Sequence, residues 1–301
     1  MSTITAPPRV AAIHDLSCFG RCALTVIMPT LSVMGYQVVP IPTALLSTHT
    51  GGFTDLHFHD LTDDMEAIAA HFEALGTSFR AIYTGFLGSA EQIETVSKII
   101  DRFGTHKSED EEQPLILIDP VMGDDGELYS TYTPELVRGI RRLSRHAQLL
   151  TPNLTEACLL TDTPYRDTAD MDPDDALAFC EACLEKLTAV TAGRIVITGI
   201  SLADGTLANL GRDADDTRFC IRRPHEPHSY PGTGDLFASV LLGALLRGES
   251  FPEACATAAG FTSDVIHASI PIPTPNREGV ALEPQLWRLL PQAKNAEWKG
   301  K

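Results

Sequence analysis

Gly232, Thr233, Gly234 and Asp235 are the residues of this sequence whose types and spacing most clearly point to chemistry. Two glycines bracket a threonine. An aspartate then opens an apolar helix through Val240, Leu241, Leu242, Leu245 and Leu246, which stops near Gly248, a suitable C-cap. A glycine turn at a helix N-terminus leaves backbone N–H groups without partners, and with the helix dipole they attract anions. A carboxylate at that spot would repel a resident anion. The pairing is productive for a phosphoryl group in transit, where Asp235 takes the proton of the attacking hydroxyl.

Such a turn needs a scaffold that brings other polar groups to it. Apolar strand-like runs alternate with helical ones along the chain. Val10–Ile13, Gln37–Ile41, Ala81–Thr84, Leu115–Ile118, Leu149–Thr151 and Ile195–Thr198 read as strands. Helical spacing fills the intervals: Ala23–Met34, Met65–Leu75, a run from the capping box Ser89-Ala-Glu-Gln92 to about Phe103, one from Thr133-Pro134, and Asp174–Val190 after Asp172-Pro173. Thr206–Leu210 and Arg218–Arg222 read as a hairpin. Helices after Asp235, around Glu253–His267 and around Pro284–Leu290 close the chain. This alternation predicts an α/β fold of three layers, a mostly parallel central sheet with helices on both faces. No Pro/Gly linker divides it, so a single domain over 1–301 is expected, with 1–8 and 292–301 as flexible termini.

In open α/β sheets, ligands bind beyond the carboxyl ends of the strands. Polar residues recur at those ends: His14, Asp15 and Ser17 after the first strand; Ser47, His49, Thr50, Gly51 and Gly52 after the second and its Pro-interrupted extension. Gly85 and Gly88 follow the third, Asp119-Pro120 the fourth, Asn153 and Glu156 the fifth, and Thr198-Gly199 the sixth. Taken singly, each has a plainer reading. Asp119 suits a turn before proline, Asn153-x-x-Glu156 an ordinary helix start, and His49-Thr50 a loop. Their joint position on one rim with the Gly232–Asp235 turn favours a site. His57, His59 and His71 lack metal spacing. No P-loop, Gly-x-Gly-x-x-Gly, Gly-x-Ser-x-Gly or His-Glu-x-x-His motif is present.

Composition narrows the classes. The 301 residues are 44% hydrophobic, with no run of about 18 apolar residues and no signal-peptide pattern at the start. Seven scattered cysteines predict free thiols in a reducing, cytoplasmic setting. Cys180-x-x-Cys183 resembles half a zinc site, but it falls inside a helical run. The acidic run Ser108–Glu112 reads as a solvated loop. A net charge of −17 argues against nucleic-acid binding, and it requires that any phosphate ligand be drawn in locally by dipoles and cations.

These motifs together resemble the vitamin B6 (pyridoxal, pyridoxine, pyridoxamine) kinase family of the ribokinase-like superfamily, over about Val10 to His267. Gly232-Thr-Gly-Asp-Leu-Phe-Ala238 is similar to that family's anion-hole and base motif, and Asp119-Pro-Val-Met-Gly-Asp124 to its metal-site motif. Thr151-Pro-Asn-Leu-Thr-Glu156, Ser47-Thr-His-Thr50-Gly51 and Gly85-Phe-Leu-Gly-Ser-Ala90 match further segments.

The resemblance implies that Asp235 deprotonates the 5′-hydroxymethyl group, while the amides of Gly232, Thr233 and Gly234 hold the phosphoryl group. Asp119 and Glu156 would organise Mg²⁺ with Asn153 beside them, and Thr198 would contact ATP phosphates. Thr50 would bond the pyridine ring, with His49 and Phe86 nearby, and Tyr129, on the Gly123–Ser130 segment, would belong to a flap closing over the site. ATP and Mg²⁺ are the implied cofactors, K⁺ a further one, and a homodimer the implied assembly. Many family members carry serine where Asp15 stands here, and Ser17 recovers that role if the register shifts. An aspartate would pair with a protonated ring nitrogen or an amine, worth about 1.5–3 kcal/mol, and tilt preference toward pyridoxamine or pyridoxine. The alternatives are a hydroxymethylpyrimidine kinase of thiamine synthesis and a non-catalytic B6-binding protein on the same scaffold.

Overall fold

The computed structural model describes residues 6–104 and 113–291. The acidic run 108–112, residues 1–5 and the terminal stretch 292–301 lie outside them. In chain order the elements are β1 (Arg9–Phe19), α1 (Leu24–Val33), β2 (Gln37–Thr48), β3 (Phe58–Asp60), α2 (Thr62–Ala74), β4 (Ala81–Thr84) and α3 (Ala90–Phe103). β5 (Leu115–Ile118), a small hairpin of β6 (Gly123–Asp124) and β7 (Glu127–Leu128), α4 (Pro134–Leu143), β8 (Leu149–Leu150), α5 (Leu154–Leu160) and α6 (Pro173–Leu187) follow. The last part is β9 (Arg194–Ser201), β10 (Thr206–Arg212), β11 (Arg218–Pro224), α7 (Thr233–Leu246) and α8 (Phe251–Ser269).

Nine strands form one sheet in the order β11-β10-β9-β8-β5-β4-β1-β2-β3. β2, β1, β4, β5, β8 and β9 run parallel, while β3, β10 and β11 are antiparallel at the two edges. The central stretches of the parallel strands are apolar because both faces are covered there. Ala11, Ile13, Ile82, Ile116 and Ile118 point into a core shared with α2 to α6. Their neighbours Val10, Ala12, Ala81, Tyr83 and Leu117 point into a second core shared with α1, α7 and α8. The two-residue side-chain period thus divides one apolar run between two cores. No helix among the described residues is long and apolar enough to cross a membrane.

Three local expectations change. β2 continues through Pro40 and Pro42 to Thr48, because β3 pairs with it only from Ala44 to Leu46. A missing N–H on the unpaired side removes no ladder bond. Ser89 caps α3 by accepting from the Gln92 N–H, but the reciprocal half of the box does not form. The Gln92 side chain instead accepts from the Gly88 N–H and donates to the Thr43 carbonyl, tying α3 to β2. The closing helix is only a short 3₁₀ turn, Leu286–Leu289. Pro284 and Pro291 leave too few residues to nucleate more.

Candidate active site

The parallel strands deliver their carboxyl ends to one rim, and α7 points its N-terminus at it. Gly232 sits at φ 79° as the N-cap, and a Cβ there would lie 2.1 Å from the Arg21 carbonyl oxygen. Only glycine fits both the left-handed backbone and that approach. Thr233 Oγ1 bonds the Tyr230 carbonyl, fixing the turn from behind. The first-turn N–H groups of Thr233 and Gly234 have no acceptor within the helix, as the geometry of a helix start requires.

Asp235 is held from an unexpected quarter. Its Oδ2 accepts the Ala23 N–H at 2.7 Å, across 212 positions of sequence. Ala23 has φ 48°, a backbone state rare for a residue with a side chain. That strain is local to the site, at the point where the chain leaves β1 for α1. The Asp235 side chain keeps some solvent access, yet protein atoms crowd its carboxyl. Burial is the main cause that pushes it up to about 7; the Ala23 N–H opposes the rise, and the Asp15 carboxyl adds a smaller increase. A carboxyl poised there is matched to accept a proton near neutrality.

Asp119 and Glu156 form the acidic floor. Both are buried, and both carboxyls are pushed well up, first by burial. Next comes mutual repulsion: Asp235 acts on Asp119, and Asp119 acts on Glu156. Glu156 is also structural. Its Oε1 accepts the Met122 N–H at 3.1 Å and its Oε2 the Asn153 N–H at 2.8 Å. Asn153 Oδ1 returns a bond from the Glu156 N–H, so the ordinary helix-start reading and the site reading are both true of α5. Asn153 Nδ2 donates to the Gly123 carbonyl at 2.8 Å, anchoring the β6–β7 hairpin, and the Thr198 N–H donates to the Pro152 carbonyl beside it. Among the described residues no group of three or more His, Cys, Asp or Glu is placed to hold a metal unaided. Cys180 and Cys183 are buried free thiols of α6.

A second set gathers on the β1 and β2 side. Asp15 and Ser17 are both buried, and Ser17 Oγ donates to Asp15 Oδ2 at 2.8 Å. Ser17 is fully covered, whereas Asp15 keeps a little surface, so Asp15 is the group with access and Ser17 its holder. Burial raises the Asp15 carboxyl, and the Ser17 hydroxyl and the nearby His49 ring moderate the rise. His49 is buried with both ring nitrogens engaged: Nε2 lies 2.6 Å from the Arg277 carbonyl and Nδ1 accepts the Gly51 N–H at 3.1 Å. Those partners assign the proton to Nε2. Thr50 is exposed on the loop beyond β2. Phe86 is half-buried, edge-on to Tyr132. Tyr129 follows the β6–β7 hairpin, and its hydroxyl is raised by burial and by Glu156, Asp124, Asp119 and Asp235 together.

Cys22 escaped the sequence argument. Its buried thiol lies near Asp235 and Asp15, which together with burial keep it protonated. Only the fold shows this, since nothing in Gly20-Arg-Cys-Ala23 marks a site.

On the other side of the α7 turn a cleft of about 370 Å³ opens. Thr198, Thr233 and Gly234 line one end, while Arg223, Tyr230 and Thr262 line its walls. Neither Asp235 nor Asp15 is among the lining residues. The whole segment 223–230 lines the cleft. Arg223 brings a cation to it on a strongly acidic chain, with its guanidinium donating to the Ala256 carbonyl.

Comparison with known proteins gives the same picture. A profile of the phosphomethylpyrimidine kinase family matches residues 10–276. A pyridoxine/pyridoxal/pyridoxamine kinase of Bordetella avium is 30% identical over 260 residues, covering 81% of this chain and 80% of that one. The pyridoxal kinase of Arabidopsis thaliana is 32% identical over 219 residues, 71% of this chain and 66% of the plant protein's own length. A Bacteroides thetaiotaomicron chain, named as a phosphomethylpyrimidine kinase and solved with pyridoxal, superposes with a TM-score of 0.82 at 38% identity. That overlap covers 94% of this chain and 96% of that one. By profile, by relatives and by fold, the chain belongs to the phosphomethylpyrimidine kinase family of the ribokinase-like superfamily, alongside the pyridoxal kinases.

Proposed function

We propose that this protein transfers the γ-phosphoryl group of ATP to the 5′-hydroxymethyl group of a vitamin B6 vitamer, yielding the 5′-phosphate. One observation carries the reading. Asp235 is fixed by the Ala23 N–H, next to Thr233 and Gly234 at the nucleotide-sized cleft and within reach of the Asp15 charge, and its carboxyl is poised near neutrality. The B6 relatives and the neighbour solved with pyridoxal supply the substrate class.

In the reaction, Asp235 takes the hydroxymethyl proton as that oxygen forms its bond to the γ-phosphorus and the bond to the ADP oxygen breaks. The N–H groups of Thr233 and Gly234, with the Gly232 turn behind them, receive the charge on the phosphoryl oxygens. Thr198 lines the phosphate end of the cleft, next to Asn153. Asp15 faces the ring, ready for a protonated pyridine nitrogen or an amine. Tyr129 and the β6–β7 hairpin close over the acidic floor and exclude water.

The donor set fits Mg²⁺. Two buried carboxyls crowded enough to hold protons suit a hard cation that keeps waters and phosphate oxygens. Asp119 would hold it directly, with Glu156 behind. When bound, the ion neutralises the phosphates and the acidic floor together. K⁺, a homodimer and a cytoplasmic setting belong to the same reading through the family resemblance.

The family profile's own name favours a second reading, phosphorylation of a hydroxymethylpyrimidine. Incubation with Mg-ATP and each of pyridoxal, pyridoxine, pyridoxamine and hydroxymethylpyrimidine separates the two by the phosphate ester formed. Turnover of a B6 vitamer at a higher kcat/KM than the pyrimidine is expected; the reverse order replaces the proposal. Tight vitamer binding without product identifies a binder instead.

A further inference from the structure

Beyond α8 the chain returns to the rim. Val280 and Leu282 are buried in the α7–α8 core, and the Ala281 N–H bonds Ser269 Oγ at 2.9 Å, so residues 276–283 are pinned from beneath. From that anchor the segment touches both halves of the site.

One contact runs to the catalytic base. The Glu278 carbonyl accepts the Arg21 N–H at 3.0 Å, and Glu283 takes the Arg21 guanidinium at 2.9 and 3.1 Å. Gly279, at φ 81°, lies so close that a Cβ would come within 2.7 Å of the Arg21 carbonyl oxygen. That same carbonyl oxygen packs on Gly232, and two residues on the Ala23 N–H holds Asp235.

The other contact runs to the ring side. The Arg277 carbonyl binds His49 Nε2, whose Nδ1 orders the Gly51 N–H. The Arg277 guanidinium lies 5.0 Å over the Phe53 ring, which meets His49 edge-on. Gly20, next to Arg21, packs against the His49 ring, closing the circuit.

We infer that residues 276–283 act as a strap that sets the Asp235 loop and the His49 loop in one register, with Arg21 as the positioning residue between them. Arg21 acts through Ala23 and does not touch the reacting atoms. An exposed ion pair contributes little to global stability, so the strap's effect belongs on geometry rather than on folding. None of Arg21, His49 and residues 276–283 lines the nucleotide cleft. Loss of the strap therefore degrades vitamer handling and the chemical step while sparing ATP affinity. This consequence rests on the vitamer kinase reading; the coupling of the two loops does not.

Two measurements test it. In native-state hydrogen exchange, Gly279→Ala should lower protection of the Arg21, Ala23 and Gly51 amides together, with α7 amides unchanged. Unchanged Ala23 and Gly51 protection, or loss spread over α7 as well, overturns the coupling. In kinetics, Arg21→Ala should raise the vitamer KM and lower kcat, for a roughly tenfold loss in kcat/KM, with the ATP KM within twofold and the melting temperature little changed. Arg21→Lys should restore part of the loss. Combination with His49→Ala should cost less than the product of the single effects, because both cut one circuit. An ATP KM that rises in step, or a multiplicative double mutant, overturns the positioning role. If the wild type turns over no vitamer, the functional reading fails, and exchange still decides the strap.

Discussion

The two sides of the α7 turn are built from different materials. The phosphate side is backbone: the first-turn N–H groups of α7, the Gly232 turn and the Thr198 end of the cleft. The ring side is side chain: Asp15 held by Ser17, His49 held by two backbone groups, and Phe53 under Arg277. A backbone site binds any group with the right charge and needs little of the sequence beyond its glycines. A side-chain site discriminates, because each buried polar group must find its partner in the ligand. On the proposed reading, the phosphoryl chemistry belongs to the backbone side and the substrate choice to the side-chain one.

That contrast breaks first at Asp235. Asp235→Asn should lower kcat by about 10²–10⁴-fold with ATP affinity nearly intact. Steady-state kinetics with both substrates varied is the check, and a surviving kcat removes Asp235 as the base. Gly232→Ala follows, placing a Cβ against the Arg21 carbonyl at 2.1 Å. A shift of the turn by about 1 Å should reduce kcat about 10²-fold. If ring-side changes of similar bulk were equally harmful to kcat, the division between the two sides would be wrong.

Asp15→Ser probes the discriminating side alone. It should change the ratio of kcat/KM between pyridoxamine and pyridoxal by roughly 10–100-fold, the range of one charge-assisted bond, with ATP kinetics unmoved. Equal losses for all three vitamers would leave Asp15 a structural residue.

The smallest effect is on stability. The folded Asp235 carboxyl sits at about 7 against an ordinary 3.8, so the folded protein binds more protons than the unfolded chain between those values. Its contribution to stability therefore falls as pH rises through that window and stays low above it. Asp235→Asn should be more stable than wild type by about 1–3 kcal/mol at pH 8, with no such gain at pH 4. Denaturant titrations at the two pH values measure this. The same carboxyl should give kcat/KM an acid limb that falls as pH drops through about 7.

Most of the fold was legible because it rests on periodicity. Leu115–Ile118 and Ala81–Thr84 match their strands residue for residue, since a strand buried on both faces has nothing else to say. That β2 continues as one strand through Pro42 to Thr48, rather than being interrupted there, was not, because a proline's effect depends on whether the neighbouring edge is paired. In the site, the Gly232–Asp235 turn and the Asn153–Glu156 box were legible as local motifs with fixed spacing. The partners that make them work were not. Ala23 offers only an amide, Cys22 only a position, and the wall at Arg223–Tyr230 only loop. A backbone group leaves no trace in a sequence, and contacts across 212 positions have no spacing to recognise.

That last contact has a consequence for the protein's life before it is finished. Its donor is encoded near the beginning of the chain and its acceptor near the end. During synthesis, the amino-terminal strands, Asp15, His49 and the acidic floor all leave the ribosome ahead of Asp235. Until α7 arrives, the nascent polypeptide has no general base and no phosphoryl cradle. On the proposed reading it spends no ATP until residue 235 and the rest of α7 have emerged.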